Sequence, residues 1–244
     1  MATHQDPRSG GFTLLEVLFA VLVVAVIVAI VIPGLISSSH HGSERNFSTS
    51  LKTLASAEAD FRANDRDWNH VNDFWTADVK GLYTMTSAAV PGAAPNSTTD
   101  PSIKLIELSV ASADADVTFF SAGGENLPIT DFAVPSAKAG YWFAALRSDL
   151  STTPATPYAQ DTQGKTAMGR VHHESSFGFM AFPDSPSSGK YVCIVNQNNT
   201  IFRTAAIGPC RSGTANPPGL GGVPAAVLNW PNEATLKSTW TKLD

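Results

Sequence analysis

The sequence predicts an α+β protein: a long amino-terminal helix, apolar enough in its first half to enter a membrane, whose amphipathic second half packs on an antiparallel β-sheet domain. Three observations carry this expectation. Val17 to Ile32 is an unbroken apolar run. Phe47, Leu51, Leu54 and Phe61 recur at helical spacing further on. From Trp68 the chain turns into short strand-like runs separated by Pro, Gly and Ser.

Counted from Phe12, the apolar segment to Ile32 spans ~31 Å as a helix, the thickness of a bilayer core. Glu16 sits inside it. An acid at the centre of a spanning helix costs ~2.5–3.5 kcal/mol, and the Val, Leu, Ile and Phe side chains after it offset roughly 4–8 kcal/mol. Insertion survives Glu16 but does not explain it. A secretory signal would have a basic start, a shorter apolar core and a small-x-small site after that core. Here the run is followed by Ile32-Pro33-Gly34-Leu35-Ile36, and the distinctive residues, Gly10-Gly11-Phe12-Thr13-Leu14-Leu15-Glu16, come before it. A cut at those residues removes the leader and leaves the apolar helix on the mature protein.

These residues resemble the class III signal of type IV pilins and type II secretion pseudopilins. The resemblance is specific over Gly10 to Pro33 and general beyond. It implies that a prepilin peptidase cuts between Gly11 and Phe12 and methylates the new amine of Phe12. It also implies an assembly role for Glu16, pairing with that amine on a neighbouring subunit. The chemistry is sound, since an α-amine with a pKa near ~8 is mostly protonated at neutral pH and a carboxylate in lipid needs a cation. Pro33 matches the family's proline near the end of the membrane segment, where it and Gly34 loosen the helix. The leader departs from the family in being poorly basic: Arg8 is balanced by Asp6. Orientation, with the domain outside the cytoplasm, therefore rests largely on the resemblance.

The organisation expected is a leader over 1–11, a transmembrane and filament-core helix over 12–36, an amphipathic continuation over 37–64, and a globular β-rich domain over 65–244. The helical pattern is interrupted at Ser37-Ser38-Ser39-His40-His41-Gly42, read as an interfacial linker, and resumes from about Ser43 to Asn64. Strands are expected at Ile103–Leu108, Val117–Phe120, Gly140–Leu146, Phe177–Phe182, Tyr191–Val195 and Ile201–Ala205. The stretches Ser87–Pro101, Ser151–Gly164 and Pro183–Gly189 read as loops, and Asn196 to Asn199 as a hairpin turn. A closing helix from Trp230 would place Leu236, Trp240 and Leu243 on one face.

A net charge of -5 gives no reason to expect nucleic acid as a partner. The cysteines are Cys193 and Cys210, with no nearby ligands to complete a zinc site. Outside the cytoplasm such a pair commonly forms a disulfide, stabilising the loop by roughly 3 kcal/mol, and many pilins carry a similar carboxy-terminal loop.

No catalytic residues, metal site or cofactor are expected. His172-His173-Glu174 is the densest group of potential ligands, but neighbours on a strand point to opposite faces, and the stretch reads as a solvated turn. Trp142, Phe143, Phe177, Phe179 and Phe182 read as core. The resemblance implies a structural subunit of a type IV pilus-like filament, resident in a bacterial inner membrane before export. Its partners would be copies of itself or related pilins, the prepilin peptidase, an inner-membrane assembly platform and membrane lipid. A type II secretion pseudopilin, a minor pilin and a membrane-tethered adhesion module remain alternatives.

Overall fold

A computed structural model of the chain describes residues 11–66, 71–85, 102–116, 129–158, 172–185, 187–205 and 228–243. The chain divides into two units, Met1–His41 and Gly42–Asp244. One helix, α1 (Leu14–Asn64), contributes to both. The expected interruption at Ser37–Gly42 does not occur. A single Gly in a helix costs only about 1 kcal/mol, so these polar residues change the surface of α1 without ending it. Helical conformation also continues through Pro33 and Gly34. The helix stops where Asp65 takes a positive φ of 44° and the Arg66 N–H turns back to the Phe61 carbonyl at 3.3 Å.

In the second unit the elements after α1 are β1 (Phe74–Trp75), α2 (Gly81–Thr84), α3 (Leu108–Ala111), a 3-10 turn (Ile129–Asp131), β2 (Tyr141–Ala145), β3 (Ser148–Asp149), β4 (Thr156–Pro157), β5 (His172–His173), β6 (Gly178–Pro183), β7 (Tyr191–Asn196), β8 (Ile201–Ala205), α4 (Glu233–Thr239) and β9 (Thr241–Leu243). The main sheet is antiparallel in the order β2-β6-β7-β8-β9. Two short pairings, β1 with β5 and β3 with β4, flank it.

Both faces of this sheet are covered, which explains why its strands read as continuous apolar runs and not as alternating ones. Successive side chains still point opposite ways. Tyr141, Phe143, Phe179, Ala181, Cys193 and Val195 face a core shared with Phe47, Leu51, Leu54 and Phe61 of α1. Trp142, Ala144, Met180, Phe182, Val192 and Ile194 face a second core closed by Leu228, Trp230 and Trp240. The Phe47 and Tyr141 rings meet at 4.4 Å. The aromatic residues read as core are core.

Of the expected strands, β2, β6, β7 and β8 form. Val117–Phe120 and the loop Ser87–Pro101 lie outside the described residues. Ile103–Leu108 is not a strand: Lys104 has a positive φ of 55°, which breaks an extended repeat, and α3 starts at Leu108. Part of the expected loop Ser151–Gly164 is ordered as β4 against β3. The turn after β7 forms as expected, with the Asn199 N–H donating to the Asn196 carbonyl at 2.9 Å and Asn199 at φ 52°.

At the carboxy terminus, the Asn232 side chain caps α4 by accepting from the Thr235 N–H at 2.8 Å. The helix is shorter than expected. Trp240 is already extended, and Leu243 lies on β9, paired with Ile201. An unpaired edge of β8 offers the terminal residues more backbone hydrogen bonds than another helical turn would. Leu236 and Trp240 therefore share one core, while Leu243 packs against the other.

A buried polar group ties α2 to the rest. Asp78 Oδ1 accepts from the Trp75 indole N–H at 3.0 Å and the Gly81 N–H at 2.7 Å. Asp114 Oδ2 accepts from the Val79 and Lys80 N–H groups, both at 2.9 Å. The Lys80 ammonium lies 3.0 Å from Asp78 and 3.5 Å from Asp114. Burial alone would lower the proton affinity of Lys80, but the charges of Asp114, Asp78 and Asp116 and the bond to Asp78 hold it well above its ordinary value. Trp75 lies so close over Gly81 that a Cβ there would overlap the indole ring. Gly81→Ala is therefore expected to destabilise the unit by about 1–3 kcal/mol. The check is the melting temperature of the detergent-solubilised chain, which should fall.

Candidate functional site

Gly11, Phe12 and Thr13 precede α1 in a non-helical stretch, and Phe12 is 88% exposed. The Gly11–Phe12 peptide is thus exposed, and a Cβ on Gly11 would meet nothing within 4 Å. Gly10 lies outside the described residues.

Thr13 and Glu16 form a reciprocal cap on the first turn of α1. Glu16 Oε2 accepts from the Thr13 N–H at 2.9 Å and from the Thr13 hydroxyl at 2.9 Å. The Thr13 hydroxyl oxygen in turn accepts from the Glu16 N–H at 3.3 Å. This is a capping box, Thr-x-x-Glu, which satisfies donors that a helix start leaves open. The carboxylate also sits at the positive end of the helix dipole. The reading of the sequence missed this role, although Thr13-Leu14-Leu15-Glu16 before an apolar run carries its signature. Glu16 keeps Oε1 outside the cap.

Leu14–Ile32 is long and apolar enough to cross a membrane, and none of it is buried within the chain. Val, Leu, Ile and Phe side chains cover it on every side, so it has no polar face to turn to water. Pro33 and Gly34 follow in the same helix. Proline supplies no N–H there, so the carbonyl four residues earlier lacks its usual helical donor.

His172-His173-Glu174 is not the solvated turn the sequence suggested. His172 and His173 form β5, paired with Trp75 and Phe74. The His173 side chain is buried, and its Nδ1 accepts from the Ser175 N–H at 3.1 Å and the Ser176 N–H at 3.0 Å. Both ring nitrogens are therefore fixed in role, with the proton on Nε2. Its ring stands edge-on to Tyr158 at 6.2 Å. The arrangement shapes a turn. Among the described residues no group of His, Cys, Asp or Glu is placed to hold a metal.

Cys193 lies on β7 as a buried free thiol. Burial pushes its proton affinity well up, against the pull of the Arg203 charge, which makes it a poor nucleophile. Cys210, the partner expected from the sequence, lies outside the described residues.

Two groups give the fold a pH dependence of opposite sign. Burial lowers the affinity of His173 for a proton, with the Glu174 and Asp149 charges opposing. The unfolded chain then takes up a proton first, so this stability is present above pH ~6.5 and is lost as pH falls toward the lowered value. Burial raises Asp114 to about 6, with the Lys80 charge opposing and Asp78 adding to the rise. That contribution is present in acid and is lost as pH rises through the folded value. His173→Asn keeps an acceptor for Ser175 and Ser176 but cannot titrate. Urea unfolding in detergent should show the variant gaining on the wild type as pH falls from about 7 to about 5. A constant difference would mean that His173 does not titrate in that range.

Comparison with known proteins bears on the amino-terminal site. The family model described as the prokaryotic N-terminal methylation motif matches residues 6–32. The chain is 31% identical over 88 residues to the type IV major pilin protein PilA of Myxococcus xanthus strain DK1622, a match covering 34% of this chain and 40% of that protein. The chain thus spans well under half the length of the curated relative it matches. No solved structure matches it significantly. An exposed peptide, a capped helix start and an apolar span coincide with the matched segment: the chain carries a prokaryotic N-terminal methylation motif and is similar, over part of its length, to a type IV pilin.

Proposed function

We propose that the chain is a structural subunit of a type IV pilus-like filament. A prepilin peptidase removes residues 1–11, cutting between Gly11 and Phe12, and the amine of Phe12 is methylated. Residues 12–36 hold the subunit in the inner membrane with its globular domain outside, and an assembly platform draws it into the filament. The observation that carries this reading is the methylation motif at residues 6–32, which takes in an apolar span long enough to cross a membrane.

In lipid, the same apolar surface that needs hydrocarbon can be satisfied by the spans of other copies. Helices of this composition then form a filament core with the globular domains outside. Glu16 supplies the register. Its Oε2 is committed to Thr13, while Oε1 is available to the ammonium of Phe12 on a neighbouring subunit. Pro33 and Gly34, at the end of the span, allow the helix to loosen as it leaves lipid. The similarity to a protein named as a type IV major pilin favours a pilus subunit over a secretion pseudopilin.

Intact mass and amino-terminal sequencing of the protein from its host membrane should give a chain that begins at methylated Phe12. A chain that still begins at Met1 would overturn the reading. Glu16→Ala should leave processing and membrane insertion unchanged. Breaking a desolvated ion pair costs ~3–5 kcal/mol, so filament yield should drop by about a hundredfold or more. Unchanged yield would remove Glu16 from assembly.

A further inference from the structure

We propose that the globular units of successive copies join head to tail, with the exposed corner Asp131–Val134 of one copy seated in the groove around Arg62 of the next. The inference rests on the filament reading above and specifies a contact within it.

The groove, about 440 Å³ in volume, runs along the last turns of α1 beside β1 and the start of β6. Arg62 is fixed within it. Its Nε–H donates to the Asn72 carbonyl at 3.2 Å, and its guanidinium lies 5.0 Å above the Phe74 ring centre. The terminal nitrogens have no acceptor among the described residues. A guanidinium held flat by a ring and one carbonyl, with its outer N–H groups open, is prepared for a carboxylate at little entropic cost. The walls beside it, Ala55, Ala59 and Phe177, are apolar. The site therefore asks for an acid with an apolar group a short distance away.

Among the described residues the corner at Asp131 presents that pair with its acid unengaged, whereas Asp149, beside Leu150, already accepts from the Ser151 N–H at 2.8 Å. In the unit Gly42–Asp244 the exposed large hydrophobic side chains are Val134, at 79%, and Leu150, at 39%. Asp131 lies three residues before Val134, exposed and without a hydrogen-bond or ion-pair partner among the described residues. The corner is held in shape: the Phe132 and Ala133 N–H groups donate to the Ile129 carbonyl at 2.9 Å, and Phe132 meets Tyr83 edge-on at 5.3 Å. Asp131 and Val134 can lie up to ~10 Å apart. Arg62 and Ala55 are about 10 Å apart along α1. The corner thus supplies both kinds of group the groove asks for, within the length of the groove.

The two surfaces belong to different ends of the unit. The corner joins the sheet through Lys138, whose N–H and carbonyl bond Tyr141 at the start of β2. The groove lies beside Phe177 and Gln197, at the end of the sheet where Ala145 pairs with Phe179. A strand of this length puts ~15 Å between those ends. The contact is thus heterologous, and repeating it produces an open filament and not a closed dimer. Because the apolar helices already hold copies together, a small rim contact acts at high effective concentration.

The test is a charge-reversal cycle in the full chain, expressed in its host, with filament yield after shearing as the readout. Arg62→Glu and Asp131→Arg should each lower yield by about tenfold, and the double variant should recover most of it. Val134→Ser should lower yield with no such rescue. Asp131 and Val134 are exposed, so their variants carry the test alone if Arg62→Glu fails to accumulate in the membrane. Normal wild-type filaments with unaffected single variants, or a double variant no better than the singles, would overturn the contact and leave the filament reading intact. Absence of wild-type filaments would overturn both.

Discussion

Phe47, Leu51, Leu54 and Phe61 seal one face of the five-stranded sheet, and the arrangement of the globular unit follows from that seal. A face of aromatic and β-branched side chains cannot remain in water, so the helix that covers it must stay helical to the end of the stripe. It does so until Asp65 turns the chain away. The opposite face needs a cover of its own, and the chain returns after β8 to provide one. Trp230 and Trp240 fill it, and β9 closes the edge beyond.

The polar interior is organised around backbone donors that no sheet or long helix satisfies. Glu58, on the buried face of α1, accepts the Trp75 N–H at 3.0 Å. Asp78 and Asp114 do the same for α2 and its approach, and Lys80 balances their charge. Removing any one carboxylate would leave buried donors unpaired, the costly kind of vacancy in a protein core. The segment between α1 and the main sheet thus takes its shape from side-chain acceptors and much less from regular secondary structure.

This division explains which parts were legible in the sequence. The helix stripe and strands β2, β6, β7 and β8 are periodic or continuous apolar runs, which local pattern reveals. The hairpin at Asn196–Asn199 was readable because Asn tolerates positive φ. Ile103–Leu108 misled because apolar content says nothing of the left-handed turn at Lys104. The role of Asp114 in holding α2 could not be seen, since Val79 and Lys80, whose N–H groups it accepts, lie more than thirty residues away in sequence. The burial of His173 is not legible because it depends on pairing with β1, a two-residue strand too short to announce itself. Glu16 stands out in the sequence as an acid within an apolar run, and Thr13 three residues before it carries the signature of the cap it forms.

The cap at the start of α1 lies wholly on the carboxy side of the Gly11–Phe12 bond. The capping bonds join Thr13 to Glu16, and the Val17 N–H donates to the Thr13 carbonyl. A cut between Gly11 and Phe12 would leave all of these atoms in place. What it adds is a positive charge, placed beside the positive pole of the helix dipole, where it is unwelcome. An acid on another chain would offset that charge, so in the proposed filament such a cut would itself favour association of subunits.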